Sequence, residues 1–167
     1  MTQRSAAIDA REFRNALGTF PTGVAVVTTR AANGAYVGLT VNSFSSLSLA
    51  PPMVLWSISA TAPSLAAFDR ASHFAVNILA EDQVEVSKRF SAAAPNKFGK
   101  LVVCGGIGGV PLLAGCAAQL ECRRYARHNG GDHVLFIGHV ERLAYDATKR
   151  PLVFCGGRYL SAGDAIT

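Results

Sequence analysis

VGLTVNSFSSLSLAPP, residues 37–52, decides how the chain is read. Val37, Leu39 and Val41 alternate with Gly38, Thr40 and Asn42, the period of two that a half-buried strand requires. Thr40, Asn42, Ser43, Ser45, Ser46 and Ser48 then crowd together before Pro51-Pro52 ends the run. A strand running into a hydroxyl-rich loop offers many short donors with little bulk. A phosphate or a polar heterocycle can use them beside backbone N–H groups. Composition alone favours an ordinary polar strand end and turn.

On the N-terminal side, Val24 to Thr29 is β-branched everywhere except Ala25, which favours a strand. Asn33-Gly34 is a hairpin signal, so this strand is expected to pair antiparallel with one over Tyr36–Phe44. Further back, Asp9 and Glu12 have capping-box spacing. Phe13, Ala16, Leu17 and Phe20 then fall on one helical face, and Pro21 and Gly23 end that helix.

On the C-terminal side, Met53 to Ile58 reads as a strand containing Trp56. Thr61 to Ala71 reads as a short helix, capped by Thr61 or Ala62, with Pro63 and Ser64 in its first turn. His73 to Leu79 is a strand and Glu81 to Ser91 a second short helix. Residues 92–113 hold Gly, Pro and small residues with little periodicity, which predicts a mobile loop or excursion. Gly106, Gly108 and Gly109 lack the strand–GxGxxG–helix setting of a dinucleotide fold. Ala117 to Arg127 and His133 to Val140 form a hairpin about residues 129–132. Leu152 to Cys155 is a last strand, and Gly156-Gly157-Arg158-Tyr159 closes the fold. Short antiparallel strands with turn signals, no βαβ alternation and no linker predict one mainly β domain over 1–167, a closed or partly closed barrel.

Half of the 167 residues are hydrophobic and only 16% are charged, lean for a small monomer's surface, so a homodimer is expected. No apolar run reaches the ~18 residues of a membrane span. The N-terminus, MTQRSAAIDAREF, has no apolar signal core, so a cytoplasmic protein is expected. The net charge of +5 is scattered; Lys88-Arg89 and Arg123-Arg124 are the adjacent basic pairs, with no interleaved aromatics. That pattern suits an anionic small molecule rather than nucleic acid. Cys104, Cys116, Cys122 and Cys155 show no CxxC spacing and read as buried free thiols. The four histidines, at 73, 128, 133 and 139, form no metal motif.

With these elements in order, the chain resembles the short-chain flavin reductases, the FMN-using reductase components of two-component flavin monooxygenases, built on a split β-barrel. The matching segments are FRNALGTFPTGVAVVTT (13–29), GLTVNSFSSLSLAPP (38–52), HFAVNILAEDQ (73–83), SKRF (87–90), GDHVLFIGHV (131–140) and GRYL (157–160). They span roughly residues 9 to 160; the stretch 92–113 matches least. The resemblance implies an FMN, with FAD as an alternative, lying along the barrel. It places Thr40, Val41, Asn42 and Ser43 at the isoalloxazine, with Phe44 flanking it. Ser57, Ile58 and Ser59 then meet the ribityl chain and ring. Ser64 sits near the phosphate, and Lys88, Arg89 and Phe90 supply charge and a lid. Gly131, Asp132 and His133 border a nicotinamide from NADH or NADPH, Tyr159 lies near the same pocket, and His133 is the catalytic candidate. The family further implies a homodimer and a separate monooxygenase as partner.

Physical chemistry bears on these placements independently. Ser64 in a helix's first turn can donate to a phosphate beside free N–H groups. Lys88 and Arg89 can neutralise a dianion, Arg in a fork; taken alone, the pair is equally a solvated helix face. His133 after a Gly-rich turn would hang over a barrel mouth, or be an ordinary surface histidine. Phe20, Phe44 and Trp56 suit packing as well as a flavin, and Asn77 suits a neighbouring strand as well as a cofactor edge. Trp56 is bulkier than the family's usual residue before Ser57, which would narrow the ring pocket or the dimer interface. Hydride transfer between two stacked rings needs positioning, not a strong general base. That matches a sequence without a nucleophile–base pair, carboxylate dyad or metal cluster. The rival expectation is a non-catalytic FMN sensor or carrier on the same barrel. An oxidase acting on a pyridoxamine phosphate would demand further basic residues.

Overall fold

The structure, a computed structural model, describes residues 8–163. The first helix, α1 (Ala10–Gly18), is capped as its sequence requires: Asp9 Oδ1 accepts from the N–H groups of Arg11 and Glu12 at 2.9 Å each. Its apolar face, however, is left largely open by the described residues; Phe13, Leu17 and the following Phe20 are 54, 58 and 73% exposed. The strands and helices that follow are β1 (Thr22–Gly23), β2 (Ala25–Arg30), β3 (Tyr36–Val41), β4 (Ser45–Leu49), β5 (Pro52–Ser59), α2 (Leu65–Arg70), β6 (His73–Ile78) and α3 (Val84–Ser91). Then come β7 (Val103–Gly105), β8 (Pro111–Leu113), β9 (Ala118–Gly130), β10 (His133–Tyr145), β11 (Leu152–Cys155) and β12 (Arg158–Ser161).

Seven strands make one antiparallel sheet in the order β3-β2-β6-β9-β10-β5-β4. Its two edges, β3 and β4, are consecutive in the chain and joined by residues 42–44 alone. The sheet must therefore roll until its edges meet, which makes a barrel split between β3 and β5. Ser43 fastens the split: its hydroxyl donates to Ser57 O at 2.9 Å and accepts from Ser57 N–H at 3.0 Å. The barrel interior holds Trp56, fully buried, stacked on Phe136 at 5.0 Å and edge-on to Phe68 and Phe74. Trp56 thus fills the core rather than narrowing a ligand pocket.

A second core lies on the other face of β2. Val24, Val26, Leu79, Phe90, Leu113 and Leu152 pack there beneath α3 and the small sheet β1-β11-β12. With cores on both faces, β2 is buried from Ala25 to Thr29. That is why Val26 to Thr29 run as consecutive β-branched residues instead of alternating.

The structure differs from the sequence-based expectations in several places. The strand expected over Tyr36–Phe44 stops at Val41, and the serine run continues as β4, a strand paired with β5 rather than a loop. The helix expected from Thr61 begins only at Leu65, because residues 59–64 spend their hydrogen bonds on a turn: Ala62 N–H reaches Ser59 O and Leu65 N–H reaches Ala62 O. Ser64 therefore stands at the cap position, not inside the first turn. The segment 92–113, expected to be a mobile loop or excursion, is an ordered excursion that contains the β7–β8 hairpin and buries Val110 and Leu113. Cys104 is exposed, unlike the buried thiol expected; burial pushes the Cys116 and Cys122 thiols up to about 11 and about 12. No helix among the described residues is long and apolar enough to cross a membrane.

Candidate active site

A groove of about 1010 Å³ runs along β3, between α2 and the end of α3. Its floor follows from the sheet's topology. Ala31 N–H donates to Ala35 O at 2.9 Å, closing the β2–β3 hairpin. In an antiparallel ladder directly opposed pairs alternate between bonded and non-bonded. From that hydrogen bond, Thr29–Val37, Val27–Leu39 and Ala25–Val41 are the bonded pairs. Tyr36, Gly38 and Thr40 must then turn their N–H and C=O groups away from β2, where no further strand pairs with them. The edge that would invite another strand instead lines a ligand-sized slot.

One wall is Pro63, Ser64 and Ala67; the other is Phe90, Phe98 and the turn between them. Phe90 and Phe98 meet edge to face at 4.9 Å, and Phe98 meets Tyr36 at 5.5 Å. Thr40 Oγ1 donates to Ser87 O at 2.7 Å. Ser64 makes no capping bond with its side chain. Lys97 lines the groove and donates from Nζ to Phe90 O at 2.9 Å, and its burial lowers its pKa below the ordinary 10.5.

The residues singled out from the sequence do not share one place. Thr40, Ser64 and Phe90 share the groove; Phe90 is 1% exposed, so it is a wall and not a free lid. Ser43, Ser57, Ser59 and the turn Gly131–His133 gather at one end of the sheet. His133 is the cross-strand partner of Ser59, Leu135 that of Ser57, and Ala60 N–H donates to Asp132 O at 2.9 Å. Val41 and Ile58 point into the barrel core and Phe44 packs against it, while Asn42 is exposed at the bend between β3 and β4. Lys88 and Arg89 do not line the groove: Lys88 pairs with Glu85 at 2.7 Å and Arg89 donates to Gly99 O at 2.9 Å. Tyr159 stands apart from the Gly131–His133 turn. Its hydroxyl bonds Ser87 Oγ at 2.9 Å, and Ser87 is the residue whose carbonyl accepts from Thr40.

His133 Nδ1 lies 2.7 Å from Asp132 Oδ1, and that bond holds the exposed Asp132 carboxyl below its ordinary 3.8. Gly131, at φ 67°, supplies the left-handed turn that presents both side chains. Asn77 is a structural hub: Nδ2 donates to Val26 O and Thr28 Oγ1, and Oδ1 accepts from Leu113 N–H. Among the described residues no group of three or more His, Cys, Asp or Glu is placed to hold a metal. Sequence reasoning missed Lys97 and Tyr36 as groove residues. The available signal was that Lys97 is the one cation between Arg89 and Lys100.

The flavin reductase like domain matches residues 17–163. The FMN reductase (NADH) SmoA of Agrobacterium fabrum is 44% identical over 90% of this chain and 85% of its own length. HsaB of Rhodococcus jostii, the reductase subunit of a flavin-dependent monooxygenase, is 41% identical over 92% of this chain and 78% of its own. Among solved structures, the NADH:FAD oxidoreductase SgcE6 of Streptomyces globisporus, in complex with NAD and FAD fragments, superposes with a TM-score of 0.88. It is 32% identical and covers 95% of this chain and 98% of its own. An antiparallel barrel split at β3, with a ligand-sized slot along that edge, and relatives of this kind over nearly the whole chain give one conclusion: the protein belongs to the flavin reductase-like family.

Proposed function

We propose that this protein is an NADH-dependent flavin reductase, one domain with FMN as its flavin and FAD as an alternative, supplying reduced flavin to a separate monooxygenase. The carrying observation is the groove whose floor is the unpaired edge of β3. Its volume suits a nucleotide-sized ligand, and its floor offers alternating backbone donors and acceptors that a flat heterocycle with a polar rim can meet. The residues present therefore fit a flavin. When bound, the flavin supplies the chemistry, accepting a hydride from the nicotinamide.

The chain's part is to bind, orient and shield. Thr40 lies on the ring side, with Ser43, Ser57 and Ser59 at the sheet end beyond it and Val41, Phe44 and Ile58 supporting them from the barrel core. Ser64 and Lys97 meet the phosphate, while Lys88 and Arg89 stay outside the groove on Glu85 and Gly99 O. Phe90 fixes the wall. Gly131, Asp132 and His133 take the nicotinamide, with the Asp132 bond fixing the ring orientation of His133. Tyr159 acts from its anchor on Ser87. Hydroxyl contacts with few charge pairs suit a flavin that exchanges rather than one that stays. The exposed apolar face of α1 and the low charge content suit a homodimer.

The test is an anaerobic assay of NADH and NADPH against FMN, FAD and riboflavin. Turnover with NADH and FMN is the expected outcome. Flavin binding without oxidation of either nicotinamide would instead make the protein a carrier or sensor, and a flavin retained through extensive dialysis would count against release.

A further inference from the structure

Beyond the groove, a polar cleft of about 200 Å³ is lined by Arg30, Arg70, Ser72, His73 and Gly108. The charges around it do not balance locally. Asp69 is taken by Arg127 at 3.0 Å. Glu141 is taken by Arg123 at 2.9 Å and lies 3.3 Å from His73 Nε2, behind the cleft. The negative end of α2 is covered, since Arg124 donates to the Phe68 and Asp69 carbonyls. What is left over is Arg70, without a hydrogen-bond or ion-pair partner among the described residues, and Arg30, bonded only through Nε to Gly34 O at 3.3 Å. No carboxylate lines the cleft. Two guanidinium forks with open donors facing one polar cleft make an arrangement that recognises a tetrahedral oxyanion. The space admits such an ion with a few waters, each occupying about 30 Å³.

We propose that this cleft is an anion site for a phosphoryl group, held by Arg30 and Arg70 with Ser72 at the rim. The phosphoryl group comes either from free phosphate or from a nucleotide whose other end lies in the groove. The second source is geometrically open: Arg30 is the cross-strand partner of groove-lining Tyr36, and Arg70 lies one helical turn beyond groove-lining Ala67.

The probe is inorganic phosphate, titrated calorimetrically into the full chain against chloride at matched ionic strength. Wild type binds phosphate. Arg70→Gln and Arg30→Gln each weaken binding about tenfold or more, because each removes a charge-assisted fork. Arg70→Lys, which keeps the charge without the fork, recovers part of it. Lys149→Gln, which removes a cation outside the cleft, 4.0 Å from Asp82, leaves phosphate binding intact. Equal binding by wild type and Arg70→Gln, or loss in Lys149→Gln instead, overturns the assignment. Phosphate that competes with FAD but not FMN identifies the nucleotide-borne source; phosphate that competes with neither identifies the free ion. The titration needs no flavin or nicotinamide turnover, so failure of the reductase reading leaves this result standing, and the reverse.

Discussion

Gly38 leaves no room for a methyl group. A Cβ there would come within 2.8 Å of Phe90 Cε1 and 3.2 Å of Phe98 Cζ, the two rings that form one groove wall. Gly38→Ala should cost about 1–3 kcal/mol by overpacking and also weaken flavin binding, because the wall itself must shift. Gly138→Ala is the control: its Cβ would clash with Phe74 Cζ and meet Cys122 Cβ at 2.9 Å inside the barrel core, away from the groove. It should destabilise by at least as much with flavin affinity kept. Denaturant unfolding and flavin titration on both variants separate the two effects. Lys97 and Lys88 make a second contrast. Lys97→Gln should weaken FMN more than riboflavin, whereas Lys88→Gln, changing a cation already paired with exposed Glu85, should do so less. Equal losses would remove Lys97 from the phosphate. At the donor side, His133→Ala should raise the nicotinamide KM or lower kcat with FMN affinity unchanged. The Asp132–His133 bond is complete above the ordinary carboxylate pKa of 3.8 and is lost as the pH falls through the depressed value in the folded state. Asp132→Asn should abolish any acid limb that this pairing gives to kcat/KM. The sequence disclosed Thr40 and Ser64 because hydroxyl-rich runs stand out. It hid Lys97 because a lone cation in an aperiodic stretch acquires meaning only when the chain folds back onto α3.

The least legible element was 92–113, and its order has a specific cause. Its own sequence contributes little periodicity, and the partners that hold it lie far off in the chain. Thr28 Oγ1 donates to Pro111 O at 2.6 Å, Gln119 Nε2 to Leu113 O at 2.6 Å, and Leu113 N–H to Asn77 Oδ1 at 2.9 Å. Ile107 N–H donates to the buried Glu121 carboxylate at 2.6 Å. Polar side chains on β2, β6 and β9 thus turn an aperiodic segment into part of the second core. Asn77→Ala would orphan the N–H of Leu113 and remove a bond to Val26 O. The expected loss is about 1–3 kcal/mol per unsatisfied buried group, with amide exchange accelerating first over 103–113. Uniform acceleration across the barrel would mean that Asn77 serves the sheet and not the excursion. By contrast β2, β3, β5, β6 and the β9–β10 hairpin were readable from alternation, β-branching and Gly-rich turns, because those signals are local.

At the scale of the whole molecule the unresolved quantity is surface. A chain half hydrophobic and 16% charged leaves apolar area uncovered, and α1 and its exit concentrate it: Phe13 and Leu17 on a helix that buries no residue of its own, and Phe20 just after it, are all more than half exposed. The chain anchors α1 mainly at its end, where Gly156 N–H donates to Gly18 O at 2.8 Å. A nine-residue helix so placed is marginal in water without tertiary packing, so a second copy of the chain is the simplest cover for it. A stable dimer buries roughly 800 Å² per partner, more than one short helix face supplies. Leu49, 94% exposed on the sheet edge β4, belongs to the remainder in this argument. Sedimentation should therefore give the mass of two chains. Leu17→Glu together with Phe13→Glu should lower it toward one chain while the far-ultraviolet dichroism of the barrel stays, since neither side chain belongs to a core. If the double variant sediments as wild type does, the interface lies elsewhere on the barrel and the exposed face of α1 needs another partner.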